Sequence, residues 1–162
     1  MNIIRKLALM LATGFGLGFS PVASGTAGTL PGLLIVWAIW PRDLTWLAVT
    51  PWMIASAILL PLLAIPICGM AEQHFGKKDD GRIVADEYLT FPISMLGLPF
   101  TPWVVALVFL TNRFFDIAKL PPARQLQSLR GGTGIVIDDI IAATHSLILN
   151  HAIFWAVTRW LL

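Results

Sequence analysis

The chain has 162 residues, 57% of them hydrophobic and only 12% charged, and its mean hydropathy is +0.78. That balance excludes an ordinary soluble domain and predicts an integral membrane protein of one domain, residues 1–162. A formal net charge of +2 on scattered lysines and arginines excludes a nucleic-acid surface, and the single Cys68, inside the apolar run LLAIPICGM, offers neither a disulfide nor a metal cluster and is read as inert packing.

Arg5-Lys6 followed by LALMLATGFGLGF and the small residues of VASG imitates a signal peptide. The apolar run is broken by Gly14, Gly16 and Gly18 and leads into another glycine-threonine motif, so the segment is expected to be retained. LLIVWAIW from Leu33 predicts a first helix, short unless Thr29 to Gly32 extends it. Pro41-Arg42-Asp43 predicts a turn, and Leu44 to Met70 a second helix long enough to span a core of about 30 Å, which takes roughly 20 residues. AEQHFGKKDDGR, with Gly76 and Gly81 as breakers, predicts a water-exposed loop. Tyr88 to Phe115 is apolar but cut by Pro92, Gly97, Pro99 and Pro102, with too few residues for two full spans. Pro121-Pro122 opens a second polar loop with Arg124, Gln125, Gln127 and Arg130, ending in Gly131, Gly132 and Gly134. Ile140 to Leu162 is the clearest late span.

Basic residues fall in three polar segments: Arg5 and Lys6; Lys77, Lys78 and Arg82; Lys119, Arg124 and Arg130. The positive-inside tendency places all three in the cytoplasm, so each stretch between them must go out and come back. Residues 33–70 can do this as two helices. Residues 88–112 can do it only as re-entrant half-helices turning at Leu98-Pro99 and buried within protein, and the segment after Lys6 dips in and returns before Thr26. The expected fold is an all-α integral membrane protein, a small helical bundle with short or re-entrant helices and a polar site at the cytoplasmic side.

Charges that adjoin apolar runs are costly to keep near lipid, which marks them as functional. Asp86-Glu87 and Asp138-Asp139 are paired carboxylates of the kind a hard cation such as Mg²⁺ takes, together with water and substrate phosphate. Their plainer reading is as helix N-terminal acids that complement the dipole. Arg113, Asp116 and Lys119, spaced i, i+3, i+6, share one side of a helix. In a chain this short of charge, a phosphate-binding Arg and Lys with Asp116 to orient them is favoured over a surface ion-pair ladder. Ser24-Gly25-Thr26-Ala27-Gly28-Thr29, after Gly14, Gly16 and Gly18, is expected to be a loop whose backbone N–H groups approach an anion. It lacks the GK[ST] of a Walker A loop, and close helix packing is its alternative. His145 lies seven residues after Asp138 and is read as packing rather than as a base, His74 and His151 offer less, and the seven Trp fit an interfacial belt.

Taken together, GFGLGFSPVASGTAGTL, IVADEY, NRFFDIAKLPPAR and GGTGIVIDD resemble, in order and spacing, the signatures of the bacterial phosphatidylglycerophosphatase A family, from about residue 14 to 143. The resemblance implies a Mg²⁺-dependent, multi-pass inner-membrane phosphatase that converts phosphatidylglycerophosphate to phosphatidylglycerol. Its partners would be that phospholipid and membrane lipids, with no nucleic acid and no obligate protein. It implies catalytic roles for Asp86, Glu87, Asp116, Asp138 and Asp139, with Asp86, Glu87, Asp138 and Asp139 on the metal. Phosphate binding falls to Arg113, Lys119, Gly25, Thr26, Gly28 and Thr29. Ser24 stands where the family usually has Pro, Leu120 where a Pro follows the lysine, and Thr90 where a Gly commonly follows the acidic pair. The competing class is a small transporter with a cation in transit between its carboxylates, whose site should lie near mid-bilayer. Another phospholipid phosphatase is a weaker reading, since the chain has neither a DxDGT nor a PSGH-like motif.

Overall fold

Thr50 and Pro51 decide where the first long helix begins. The Thr50 hydroxyl accepts from the Met53 N–H at 3.4 Å and Pro51 fills the first helical position, where a missing N–H costs nothing. In the computed structural model, which describes residues 2–160, the expected helix from Leu44 therefore starts only at Pro51, and residues 44–50 are irregular. Apolarity alone does not make a helix. The described residues form seven α-helices and no strand: α1 (Ile3–Ala12), α2 (Ser24–Ile39), α3 (Pro51–Phe75), α4 (Ala85–Met95), α5 (Pro102–Ala118), α6 (Ala123–Leu126) and α7 (Gly132–Trp160).

Two further boundaries differ from expectation. Ala71 to Phe75 belong to α3, which runs on until Gly76, at φ +68°, caps it in the left-handed conformation. At α7 the glycine cluster is not wholly a loop. The helix begins at Gly132, whose absent side chain lets it lie against the Ile65 carbonyl and Gly69 of α3, and Asp138-Asp139 sit in its second turn rather than at its start.

Short α4 is the axis of the bundle. It packs on α2, α3 and α7, and nine of its 11 residues are buried. Small residues of α1 and α3 (Ala12, Ala64, Cys68, Ala71) and Ile135 of α7 close around its first half, while Val36, Met53, Phe91, Met95, Leu98 and Val104 fill the space around its second. Cys68 is fully buried packing, as expected. The turn after α4 exposes carbonyls that must find donors away from water. Leu98 O accepts from Trp40 Nε1 at 3.2 Å, Gly97 O from the Leu47 N–H at 2.8 Å, and Leu96 O from His151 Nε2 at 2.8 Å. The expected pair of helices turning near Leu98-Pro99 is thus present as α4 and α5, but only α4 is buried within protein: α5 buries Val104, Val108 and Asn112 and exposes Leu110, Phe114 and Ile117.

Two helices, α3 and α7, are long and apolar enough to cross a membrane, with mean hydropathies of 2.2 and 1.5, and only 22% of each apolar window is buried. A core helix of a soluble protein would bury most of that face, whereas α3 turns Trp52, Ile58, Leu59 and Leu62 outward. The helices α2, α4 and α7 run one way, and α3 and α5 the other. This gathers exposed Trp37, Trp52, Trp103, Trp155 and Trp160 at one end of the bundle and leaves the acidic motifs at the opposite end.

Candidate active site

At that opposite end, the first turn of α4 brings Asp86 and Glu87 inside the bundle, and the second turn of α7 brings Asp138 and Asp139 beside them. Asp86, Asp138 and Asp139 are all about 5% exposed. The two pairs, far apart in sequence, line one cavity of ≈ 260 Å³ with Asp79, Asp116, Lys119, Ser24, Gly81, Ile83 and Ile117. The dipole-capping alternative holds for the place of Asp86-Glu87 on their helix but not for Asp138-Asp139.

The basic residues arrive from α5. Arg113 NH2 stands 2.9 Å from Asp116 Oδ2, its NH1 lies 3.4 Å from Glu87 Oε1, and the same NH1 donates to Thr29 Oγ1 at 3.3 Å. The guanidinium is held on three sides while its Nε has no partner. Lys119, in the left-handed C-cap of α5, donates to Asp138 Oδ2 at 2.7 Å and faces Asp79 Oδ2 at 3.9 Å. Burial works to lower the pKa of the Lys119 ammonium, but the hydrogen bond to Asp138 and the surrounding carboxylates outweigh it and hold the pKa above its usual value. Lys119 therefore stays charged.

The glycine-threonine segment is not the expected loop. Ser24 to Thr29 form the first turns of α2, because tertiary packing overrides the low helix propensity of glycine. A Cβ on Gly25 would meet the Glu87 carboxylate and the Arg113 guanidinium, and one on Gly28 would meet Val84 and Glu87. These glycines admit α2 against the acidic pair. Thr29 donates to Gly25 O at 2.9 Å and steadies Arg113, half-buried Thr26 lies a turn before it, and Ser24 is the α2 residue in the cavity wall.

Asp79 is the residue missed by sequence reasoning. It accepts from Gln127 Nε2 at 2.6 Å, which ties the loop before α4 to α6. Asp79-Asp80 was a third acidic pair in plain view, masked by its lysine and glycine neighbours in KKDDGR. Asp80 itself turns to Arg82, whose Nε and NH2 reach it at 2.7 and 2.9 Å and hold its carboxyl below the usual aspartate range. His145 lies outside the cavity, its Nδ1 2.9 Å from Ile141 O and its ring stacked on Phe115, as its packing role requires.

Asp86 Oδ1 and Glu87 Oε2 are buried with no hydrogen-bond partner. Unpaired buried carboxylate oxygens are expensive unless a cation or a donor meets them. Among the described residues, no three acidic, His or Cys side chains already converge as a ready metal cage.

The cavity of acids is lined by one cation, Lys119, while Arg113 does not line it and stands behind Glu87 and Asp116 at the same end of the bundle. The profile of the family described as phosphatidylglycerophosphatase A matches residues 10–154. The chain belongs to the phosphatidylglycerophosphatase A family. It is similar to the phosphatidylglycerophosphatase A of Haemophilus influenzae, 34% identical over 95% of this chain and 96% of that protein. The phosphatidylglycerophosphatase A of Escherichia coli is 35% identical over 85% of this chain and 77% of its own length. A Bacteroides thetaiotaomicron protein called putative phosphatidylinositol-3-phosphatase is 34% identical over 96% of both chains. No solved structure matches the chain. As a member of the phosphatidylglycerophosphatase A family it is a phosphatase, and the transporter alternative falls away.

Proposed function

We propose that this phosphatase hydrolyses phosphatidylglycerophosphate to phosphatidylglycerol and phosphate, with Mg²⁺ in the acidic cavity, at the cytoplasmic face of a bacterial inner membrane that it crosses more than once. The observation that carries this reading is the meeting of Asp86, Glu87, Asp138 and Asp139 with Lys119 in one cavity, where two carboxylate oxygens have no partner. The donor chemistry fits Mg²⁺, a hard ion that takes one or two carboxylates and fills its remaining positions with water and phosphate, so a preformed protein cage is not required. Asp86, Glu87, Asp138 and Asp139 would supply the one or two carboxylates that each bound ion takes. Bound there, it would neutralise phosphate charge and lower the pKa of a water.

The chain's own groups supply the rest. Arg113, fixed by Glu87, Asp116 and Thr29, and Lys119, fixed by Asp138, present positive charge to the phosphate oxygens without having to reorganise. A buried carboxylate takes the proton of the attacking water, the water oxygen bonds to phosphorus, the bond from phosphorus to the glycerol oxygen breaks, and that oxygen leaves with a proton as the free hydroxyl of the product. Sidedness rests on charge: Lys77, Lys78, Arg82, Lys119, Arg124 and Arg130 cluster at the site end, while the opposite end carries Arg42, Arg159 and the exposed tryptophans.

The test is phosphate release by the purified protein from phosphatidylglycerophosphate, phosphatidic acid, lysophosphatidic acid and phosphatidylinositol 3-phosphate, with Mg²⁺ and with excess EDTA. Release from the first, lost in EDTA and restored by Mg²⁺, is expected. Full turnover in EDTA would sink the metal, and release from the inositol lipid alone would move the substrate to that named for the Bacteroides relative.

A further inference from the structure

The acidic cavity has one wall residue that does not belong to it chemically. Of its two apolar lining residues, Ile83 is 4% exposed and serves as core, but Ile117 lines the cavity while 73% exposed. Ile117 is also the end of a stripe. Leu110, Phe114 and Ile117, spaced i, i+4, i+7 on α5, are 65%, 62% and 73% exposed, whereas Asn112, Arg113 and Asp116 on the same helix turn inward to the bundle and the site. An outward apolar stripe on a helix packed beside the long apolar α7 would face acyl chains, and this one ends at a residue that lines the polar cavity.

Ser24 of α2 also lines the cavity. Both α2 and α5 rest on α4, yet they make no extensive contact with each other, and Arg113 reaching to Thr29 is what links them near the site. Ser24 and Ile117 thus bound the cavity from two helices that do not pack extensively on each other. The apolar grooves between α2 and α3, around Ile35, Leu59 and Leu63, share no lining residue with the cavity and contain no carboxylate, so they do not lead a headgroup to it.

We propose that Ile117 is a specificity-determining residue, the apolar sill against which the acyl part of the substrate stays in the bilayer while its headgroup phosphate reaches past it to the carboxylates and Lys119. The proposal rests on the lipid phosphatase reading above and adds to it the point of passage and the residue that discriminates. Ile117 touches no reacting atom. It favours phosphomonoesters carried on a membrane-borne lipid, because hydrocarbon of the lipid that reaches the Ile117 end of the stripe is removed with it from polar surroundings, and a water-soluble analogue gains little from it.

The experiment compares phosphate release by the full-length protein in mixed micelles from dioleoyl phosphatidylglycerophosphate with release from its dihexanoyl counterpart. Wild type, Ile117→Asn, Ile117→Leu and Phe114→Asn are measured. Ile117→Asn is expected to raise KM for the dioleoyl lipid about tenfold more than for the dihexanoyl lipid, with kcat for the dioleoyl lipid little altered. Ile117→Leu should restore the wild-type ratio, and Phe114→Asn, a turn further from the cavity, should shift the ratio in the same direction but less. A loss of equal size for both lipids, as a merely misfolded variant would give, or an unchanged dioleoyl KM overturns the role of Ile117. A wild-type protein that releases no phosphate from either lipid overturns the substrate reading itself, and this inference with it, before any variant is compared.

Discussion

Lys119 Nζ lies 2.7 Å from Asp138 Oδ2, joining the end of α5 to the second turn of α7 across the mouth of the acidic cavity. A charged lysine among carboxylates, held in a left-handed backbone position at φ +47°, is a strained arrangement for a residue that only packs. Lys119→Met should lower kcat/KM for phosphate release by roughly 10²-fold or more, the scale of losing one preorganised charge at a reacting phosphate. Lys119→Arg should retain part of the activity. A Met variant with full activity would remove Lys119 from the phosphate site.

Gly28 tests how closely α2 must approach α4. A Cβ there meets the Glu87 carboxylate and, at the base of its side chain, Val84, which can move only with the start of α4. Gly28→Ala should destabilise the protein by about 1–3 kcal/mol and cut activity sharply, read from thermal denaturation in detergent and from phosphate release. Wild-type values in both would show that the helices part freely.

Asp79 is expected to tune the site through Lys119. In Asp79→Asn the hydrogen bond from Gln127 can persist, but the charge 3.9 Å from Lys119 is lost. Activity should fall about fivefold, the effect of roughly 1 kcal/mol, the upper end for a partly exposed ion pair, with melting temperature nearly unchanged. A large drop in melting temperature instead would make Asp79 a loop anchor only.

The Asp80–Arg82 pair gives a pH dependence with a definite sign. Hydrogen bonds from Arg82 hold the Asp80 carboxyl below its ordinary value, so the stabilisation is complete above about pH 4 and is lost as pH falls through the folded value. Arg82 is 41% exposed, so solvent screening keeps the effect small. Wild type should melt slightly above Asp80→Asn at pH 7, and the gap should close on acidification. A gap that widens toward low pH would contradict the assignment.

Beneath the site, α5 and α7 are joined by Asn150, whose Nδ2 donates to Thr111 Oγ1 and Ser146 O, both at 2.7 Å, while Ser94 of α4 donates to Asn112 at 3.0 Å. Such interhelical bonds stand in for the hydrophobic drive that lipid does not supply. Asn150→Ala should cost about 0.5–2 kcal/mol in denaturant unfolding while kcat stays close to wild type. An unaffected stability would mean that apolar packing alone holds the two helices.

The sequence by itself determined the solvent and the ingredients of this protein. Apolar content, the prolines at 92, 99 and 102, and the charges left in apolar surroundings pointed to an all-helical membrane chain, a broken middle segment and the acids that line the cavity, because burial and backbone breaking are local properties that add along the chain. The start of α3 was equally local, written in Thr50-Pro51 but hidden by the apolar run before it.

Other features depended on which helix faces meet. Gly25 to Thr29 became helix because α4 offers Glu87 and Val84 at the distance only a glycine surface can fill. Asp79 joined the site because the loop before α4 is tied to α6 by Gln127, and Ile117 became its rim because α5 ends there. Only the tertiary structure decided these, since the energy of a buried charge or a close approach is set by its neighbours in space, and those come from residues far apart in the chain.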